Sequence, residues 1–402
     1  KCMLYYIQVG VSLKVAHIAD THIRNYNYHK EYREIFDQIY DRLREEKVDY
    51  IVHCGDLAHT KTQLSPEYFD LATSFLKNLA DIAPTYVILG NHDGNLKNDN
   101  RQDAITPIVN ALRHPNLNLL KGSGEVHTPG GITFNVLSVF DEDNWVKPSS
   151  NLRINIALYH GSVSGVKTDT GWTMTHGDHP IEIFKGHDYV LLGDIHKTNQ
   201  ILDDEGRVRY PGSTVQQNFG ETNDKGFLLW DIQSKDDFTC EHIVIENPKP
   251  FITINLTPTG RMPRGLNVKK GSRLRLVSNN NLSLEAMRKA IDVAKQRFKP
   301  DTITFLNRAA GERGNVEEIT DNIHQDDMRN PAIQEELIRE YLSEFQASEK
   351  LMKKVLDLNS EYTKKAEESE EISRNIKWKI NELRWDNLFN YGEDNRIDFN
   401  KL

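Results

Sequence analysis

Five apolar runs of this chain end in side chains that can ligate a hard divalent cation. Asp20-Thr21-His22 closes the run Lys14–Ala19, and Gly55-Asp56 follows Tyr50–Cys54. Gly90-Asn91-His92-Asp93 follows Tyr86–Leu89, His160-Gly161 follows Ile154–Tyr159, and Gly193-Asp194-Ile195-His196 follows Tyr189–Leu192. Carboxylates, an amide oxygen and imidazoles suit Mn²⁺ or a similar ion better than a thiolate site would. Two such ions about 3.5–4 Å apart can clamp a phosphodiester, activate a water and stabilise charge on the attacking and leaving oxygens. A carboxylate shared between the ions is the natural bridge, and Asp56 is assigned to it. A lone histidine at a strand end is more often structural. Gly-Asn-His-Asp after a wholly apolar run is stronger, and five such endings in one chain argue against coincidence.

The runs themselves read as strands, with a sixth at Thr133–Val139. Ile35, Ile39 and Leu43 recur at i, i+4 and i+8, so an amphipathic helix separates the first two runs. Phe69, Leu76 and Leu79 predict another before the third. Strands interleaved with helices mean a layered α/β core. Ligands just past strand ends are where an open α/β sheet places its site, and the glycines there allow close backbone approach.

This ordered set resembles the calcineurin-like metallophosphoesterase superfamily. Within it the chain resembles the SbcD-type nuclease, counterpart of the eukaryotic meiotic-recombination nuclease, through Asp56-Leu57-Ala58-His59, Tyr210-Pro211-Gly212-Ser213 and the order of domains. The resemblance runs from about Leu13 to Asn359. It implies a metallophosphoesterase β-sandwich flanked by helices over residues 13–246. It implies that Asp20, His22, Asp56 and His196 hold one ion, and that Asp56, Asn91, His160 and Asp194 hold the other, Mn²⁺ being expected and Mg²⁺ the substitute. His92 would donate a proton to the leaving oxygen, steered by Asp93, and His59 would lie near the scissile phosphate. One departure stands out. The family pattern is Gly-His-x-His at the last motif, and here Asp194 fills the first histidine's place. It is either a hard-ion ligand that alters metal preference or a side chain turned away from a weakly held second ion.

Beyond the linker Asn247-Pro248-Lys249-Pro250, strand patterns at Phe251–Leu256, Arg273–Val277 and Thr302–Leu306 and a helix from Ser283 predict a small α/β unit over 251–308. The resemblance makes it a capping domain that controls DNA access. Asn330-Pro331 is a helix start, after which Leu337, Tyr341, Phe345, Met352, Val355 and Tyr362 form a narrow apolar stripe. The stripe fits either a helical hairpin packed on its own domain or a partner-binding helix pair. By resemblance, residues 315–372 grip the coiled-coil base of an SbcC-type ATPase. Residues 377–402 carry two strand patterns, Trp378–Leu383 and Arg396–Phe399, about a turn at Asn390-Tyr391-Gly392. The stretch Trp385 to Phe399 resembles the opening strands of that ATPase, and no phosphate-binding loop follows. A fusion in cis or a truncated piece would both produce this.

The bulk composition is consistent with these readings. A chain of 402 residues points to more than one domain, and 38% hydrophobic content is enough for a globular core. The formal net charge of −9 argues against a generally basic nucleic-acid binder, but metal-binding carboxylates add negative charge that divalent ions offset locally. No apolar run approaches the ~20 residues of a membrane span. Cys2, Cys54 and Cys240 are isolated and read as reduced thiols of a cytosol-like compartment. Lys1–Val11 reads as neither a signal peptide nor a methionine start, which fits a piece of something longer. The expected activity is a DNA nuclease, acting as exonuclease on duplex ends and endonuclease on single strands, with DNA, the ATPase and a second copy of itself as partners. The rival readings are a small-molecule phosphodiesterase or phosphatase and a scaffold whose site has decayed. His17 and His53, inside strands, are expected to be packed. His176, His179 and His187, in a loop, could approach substrate. Tyr210-Pro211-Gly212-Ser213 is either a turn or part of the substrate face. Arg24, Lys61, Lys97, Arg101 and Lys197 either contact phosphates or are simply solvated.

Overall fold

The computed structural model describes residues 12–61, 64–96, 101–169, 171–308, 335, 338, 349–367, 382–385 and 395–398. They fall into two compact units divided between Ala309 and Ala310. The first unit is built on two six-stranded sheets. One sheet takes β1 (Leu13–Ile18), β2 (Tyr50–Cys54), β3 (Thr85–Ile88) and β4 (Leu117–Leu120) in parallel, with β11 (Gly226–Ile232) and β12 (Phe238–Val244) added antiparallel beyond β1. The other has the order β5 (Gly124–His127), β6 (Ile132–Leu137), β7 (Ile154–His160), β8 (Tyr189–Gly193), β10 (Val208–Tyr210) and β9 (Gln200–Ile201), with β6, β7, β8 and β10 parallel. The six predicted runs leave out β4, β5, β9, β10, β11 and β12, which carry no ligand.

Parallel neighbours require crossovers. Helices α1 (His29–Glu46), α2 (Pro66–Ile82) and α3 (Thr106–Leu112) supply them. In α1 the predicted stripe Ile35, Ile39 and Leu43 is buried with Phe36, whose ring stacks on Phe75 of α2 at 4.0 Å between centroids. Helix α2 begins on Ser65, whose hydroxyl accepts from the Tyr68 amide at 3.2 Å, followed by Pro66 at the first helical position.

Alternation along β1 shows how the layers are fed. Ala16 and Ile18 pack towards the helices, while Val15 and Ala19 join Val52, Cys54, Phe134, Ile156, Leu158 and Leu191 between the two sheets. His17 shares that inner face. Its Nε2 donates to the Leu192 carbonyl at 2.9 Å, and burial lowers its pKa to about 3, so it is a neutral packed group as expected. On the far face of the second sheet, Tyr159, Val190 and Leu192 are covered by loop residues such as Val163 and Phe184 rather than by a long helix. The expected layered α/β sandwich is present, with its long helices on one face. Strands buried on both faces read as unbroken apolar runs, which is why the strands that end in ligands were legible.

The small unit after the linker is a parallel sheet, β13 (Phe251–Asn255), β14 (Arg273–Ser278) and β15 (Thr302–Asn307), with α4 (Leu284–Phe298) capped by the Ser283 hydroxyl. Ala290, Ala294 and Phe298 of α4 are buried against Ile254, Leu274 and Leu276. A buried bidentate ion pair anchors the sheet to α1: Arg273 donates to both oxygens of Glu31, at 2.9 and 2.5 Å. The guanidinium also lies over the rings of Tyr28 and Phe251, at 4.7 and 4.9 Å. Removing one partner of such a pair strands a charge in a place without water.

In the second unit the described residues include helix α5 (Glu349–Glu367) and an antiparallel hairpin of β16 (Glu382–Trp385) and β17 (Asn395–Asp398), with Leu383 opposite Ile397. Leu351, Leu358 and Tyr362 of α5 are exposed. Asn330-Pro331, the stripe residues Leu337, Tyr341 and Phe345, and Trp378, Ile380 and Asn390–Gly392 lie outside the described residues. Lys97 and Lys1–Val11 do too. Among the described residues no helix is long and apolar enough to cross a membrane.

Candidate metal centre

The strand ends converge. Asp20 and His22 leave β1, Asp56 leaves β2, Asn91, His92 and Asp93 leave β3, His160 is the last residue of β7, and Asp194 and His196 leave β8. Ligand atoms of three overlapping triads lie within 4.8 Å of one another: Asp20 with His22 and His196, His22 with Asp56 and His92, and Asp20 with Asp56 and His160. Asp56 Oδ2 sits 3.5 Å from His22 Nε2 and 3.4 Å from His160 Nε2, between the two groups. His22 Nε2 and His196 Nε2 face each other at 3.0 Å. The Asp194 carboxylate is at the edge of the cluster and turned into it. Its Oδ1 is 3.8 Å from His160 Nε2 and accepts from Asn91 Nδ2 at 3.4 Å.

The imidazoles are held with their Nε2 atoms inward. His160 Nδ1 donates to the Cys54 carbonyl at 2.7 Å, and its Nε2 is buried without a hydrogen-bond partner. His196 Nδ1 donates to Glu221 Oε1 at 2.8 Å. Asn91 Oδ1 is likewise buried and unpartnered. Buried acceptors without donors are costly unless something else satisfies them. The carboxylates make the same case. Burial pushes Asp20 up to about 7, with Asp56 and Asp194 adding to the rise against His160 and His196. Burial also raises Asp194. Asp56 alone is held below the usual carboxylate range, because His160, His22 and His92 outweigh its burial. The same carboxylates raise His160 well above the usual imidazole value despite its burial. Two buried carboxylates, the half-buried Asp194, an orphaned amide oxygen and inward imidazoles fit divalent cations, whose charge relieves all of these penalties together.

Glycine is required where the turns touch. A Cβ on Gly193 would collide with the Cys54 carbonyl, and one on Gly90 would collide with the Asp56 carboxylate and amide.

His92 and Asp93 are distinct in their tasks. The His92 amide donates to Asp56 Oδ1 at 2.8 Å, and the ring donates through Nδ1 to the His59 carbonyl at 2.7 Å. The ring is exposed and lies 4.9 Å from that of His22. Asp93 does not steer it. Its fully buried carboxylate accepts from the amides of Asp56, Ala58 and Gly90, at 2.8, 2.9 and 2.9 Å, tying the second and third ligand loops together. The steering expected of Asp93 belongs to the His59 main chain. The His59 side chain stands beside the site, 5.7 Å from His22 and stacked 6.3 Å from His92.

Tyr210-Pro211-Gly212-Ser213 braces the site from behind. The Tyr210 hydroxyl donates to the Gly161 carbonyl at 2.7 Å and accepts from the Val163 amide at 3.0 Å, and the Ser213 amide donates to the His196 carbonyl at 3.2 Å. His53 Nε2 pairs with the Thr21 hydroxyl at 2.8 Å, which fits its packed role. His179 packs on Trp145 at 4.8 Å, and His187 Nδ1 donates to the Phe184 carbonyl at 2.9 Å, so neither ring is in the cluster. Lys61 donates to the Asn91 carbonyl at 3.0 Å. Arg24 donates to the Gln217 carbonyl.

Sequence reasoning missed Glu221. It is buried, and besides His196 it accepts from the Gln217 amide at 2.8 Å and the Asn218 side chain at 3.1 Å. Lys225 backs it, with Nζ 3.7 Å from Glu221, 3.2 Å from Asp169 and 2.6 Å from the His196 carbonyl. A lone glutamate in a turn-rich stretch gives no spacing signal that links it to His196. Such a carboxylate fixes the tautomer and raises the basicity of a metal-ligating imidazole, so Glu221→Ala is expected to lower metal affinity by roughly 10- to 100-fold. Calorimetric titration with Mn²⁺ checks this, and unchanged affinity would show that Glu221 only supports the loop.

Two facing sheets gather an aspartate, asparagine and histidine set at their strand ends, a donor set suited to hard divalent cations. Residues 13–198 match the calcineurin-like phosphoesterase family. The chain carries a calcineurin-like metallophosphoesterase domain. Among its relatives is the uncharacterized protein R555 of Acanthamoeba polyphaga mimivirus, 33% identical over 412 residues. That match covers 96% of this chain, and the chain spans 29% of that protein's length. Putative phosphoesterase 244L of Invertebrate iridescent virus 6 is 25% identical, over 69% of this chain and 97% of its own. The DNA double-strand break repair protein Mre11 of Saccharolobus solfataricus is 27% identical, over 49% of this chain and 52% of its own.

Proposed function

We propose that the chain is a two-metal DNA nuclease of the SbcD type, using Mn²⁺ and working with an SbcC-type ATPase. The observation that carries this is the overlap of the ligand triads on Asp20 and Asp56, by which two ions would be held with Asp56 as a shared ligand. The likeness to the DNA double-strand break repair protein Mre11 over 49% of this chain supports DNA as the substrate. Divalent cations held there supply an activated water and neutralise charge on the phosphoryl oxygens.

The chain's own residues do the rest. Asp20, His22, Asp56 and His196 would hold one ion, and Asp56, Asn91, His160 and Asp194 the other. Asp93 fixes the separation of the loops that carry Asp56 and Asn91. His92, held by the His59 carbonyl, presents its other nitrogen to the open side of the cluster, where a leaving oxygen needs a proton. Helix α5, with its exposed apolar residues, and the β16–β17 hairpin would serve the ATPase, in cis or in trans. The mimivirus relative's greater length is in keeping with a fused arrangement. A homodimer completes the proposal.

A second reading is favoured by the iridescent-virus relative, which is named only as a putative phosphoesterase and matches this chain over nearly its whole length. It is a phosphodiesterase of small molecules. End-labelled single-stranded and duplex DNA, and bis(p-nitrophenyl) phosphate, assayed with Mn²⁺, with Mg²⁺ and with chelator, separate the two. DNA cleavage dependent on Mn²⁺ is expected. Turnover of the small diester with no cut in any DNA would establish the second reading, and inactivity on all of them would leave a scaffold. In the same assay Asp194→Ala is expected to slow cleavage roughly 10- to 100-fold and weaken one of two Mn²⁺ binding steps. Unchanged activity at limiting Mn²⁺ would remove Asp194 from the ligand set.

A further inference from the structure

A cavity of about 430 Å³ opens beside the metal cluster, lined in part by Arg24, Tyr26, Tyr28, His59, Leu64 and Tyr68. The His59 ring that lines the cavity is the same ring that lies 5.7 Å from His22 and stacks on His92. The segment that forms the other wall, residues 23–28, leaves directly from the ligand His22 and leads into α1.

The walls have an uncommon chemistry. Tyr26 keeps 69% of its surface exposed, its ring meeting that of His29 edge to face at 5.8 Å, so much of a large aromatic side chain is presented at the rim. Ile23 and Leu64 make part of the lining apolar, and Asn25 and Glu67 place hydrogen-bonding groups at its edge. Arg24 brings a fixed positive charge, held over the Tyr28 ring at 5.0 Å and donating to the Gln217 carbonyl. An aromatic face, polar edge groups and a cation within reach of a phosphodiester site are the parts of a seat for a single nucleobase. A flat aromatic ring can stack there while its edge is read by Asn25 and Glu67, and a base still paired in a duplex has that edge occupied.

We propose that this cavity holds one unpaired base of a strand whose neighbouring phosphodiester lies at the cluster. The proposal rests on the phosphodiesterase reading and deepens it: the enzyme would engage a nucleotide already separated from its complement, at a frayed end or in a single strand.

The test compares two substrates with one leaving group, the p-nitrophenyl ester of thymidine 5′-monophosphate and methyl p-nitrophenyl phosphate, in Mn²⁺. The ratio of their kcat/KM values measures what the nucleoside contributes. Tyr26→Ala is expected to lower that ratio roughly 10-fold, mainly through KM, and Tyr26→Phe to restore it. A ratio that stays at the parent's value in Tyr26→Ala overturns the proposal, as does a loss that Tyr26→Phe does not recover. Equilibrium binding of thymidine 5′-monophosphate and of methyl phosphate to the whole chain in chelator tests the cavity without catalysis. Tyr26-dependent preference for the nucleotide is expected, and equal binding of the two ligands overturns it. If the parent hydrolyses neither ester, the phosphodiesterase reading fails, and the binding measurement alone decides the cavity.

Discussion

His92→Ala is expected to reduce DNA cleavage by about 10²- to 10⁴-fold, the usual contribution of a positioned general acid, while both Mn²⁺ ions remain bound. The main chain argues for retained metal. The His92 amide, which any residue but proline keeps, is what donates to Asp56 Oδ1. The ring is held from outside the cluster by the His59 carbonyl and is open to solvent. That is where a leaving oxygen can reach it. The opposing possibility is in the same geometry, because His22, Asp56 and His92 together could also enclose an ion. Calorimetry separates the two. Two Mn²⁺ equivalents on His92→Ala, with activity gone, fit a proton donor. One equivalent would make His92 a ligand and send the search for the acid elsewhere.

Asp93→Ala is expected to destabilise the domain by about 3–9 kcal/mol. Its carboxylate satisfies three buried amides, of Asp56, Ala58 and Gly90, and each amide left without an acceptor costs about 1–3 kcal/mol. The melting temperature should fall by roughly 6–36 °C. Asp93→Asn, which retains an acceptor oxygen, should lose less. A shift under about 2 °C for the alanine variant would show that water replaces the carboxylate freely. Metal affinity should fall alongside stability, since the loops bearing Asp56 and Asn91 lose the tie between them.

The sequence revealed the ligand-bearing strands because they are buried on both faces. Each announced itself as an apolar run broken by a polar turn. It revealed most of the candidate cluster for the same reason: Asp20, Asp56, Asn91, His160 and His196 each follow such a break. What it could not show is how the polar groups behind the cluster divide the work. Asp93 stands next to His92 in the chain, and adjacency suggested that it acts on its neighbour. In three dimensions its side chain turns inward to amides 35 to 37 residues away. Tyr210 lies behind the turn that follows β7 rather than over the substrate face, because its hydroxyl pairs with main-chain groups at Gly161 and Val163. Glu221 reaches His196 across 25 residues of chain that include β9 and β10. Such contacts have no period, and only folding brings them together. The capped helix α4 was legible from Ser283 and its spaced apolar residues, whereas the Arg273–Glu31 pair joins residues 242 apart and had no local sign.

Four residues of the site also stand out for their backbone. Asp20, His22, Asp56 and Asp194 have φ of 51°, 46°, 57° and 98°, in the half of conformational space that side chains ordinarily avoid. Each such residue costs on the order of 1–3 kcal/mol, so the scaffold holds its most reactive turns against their own preference. Glycine would relax any of the four and remove a proposed ligand with the same stroke. A lineage freed from the need to catalyse should therefore drift towards glycine at these positions and become sturdier as it becomes inert. Selection for heat resistance alone would push the present chain along the same path.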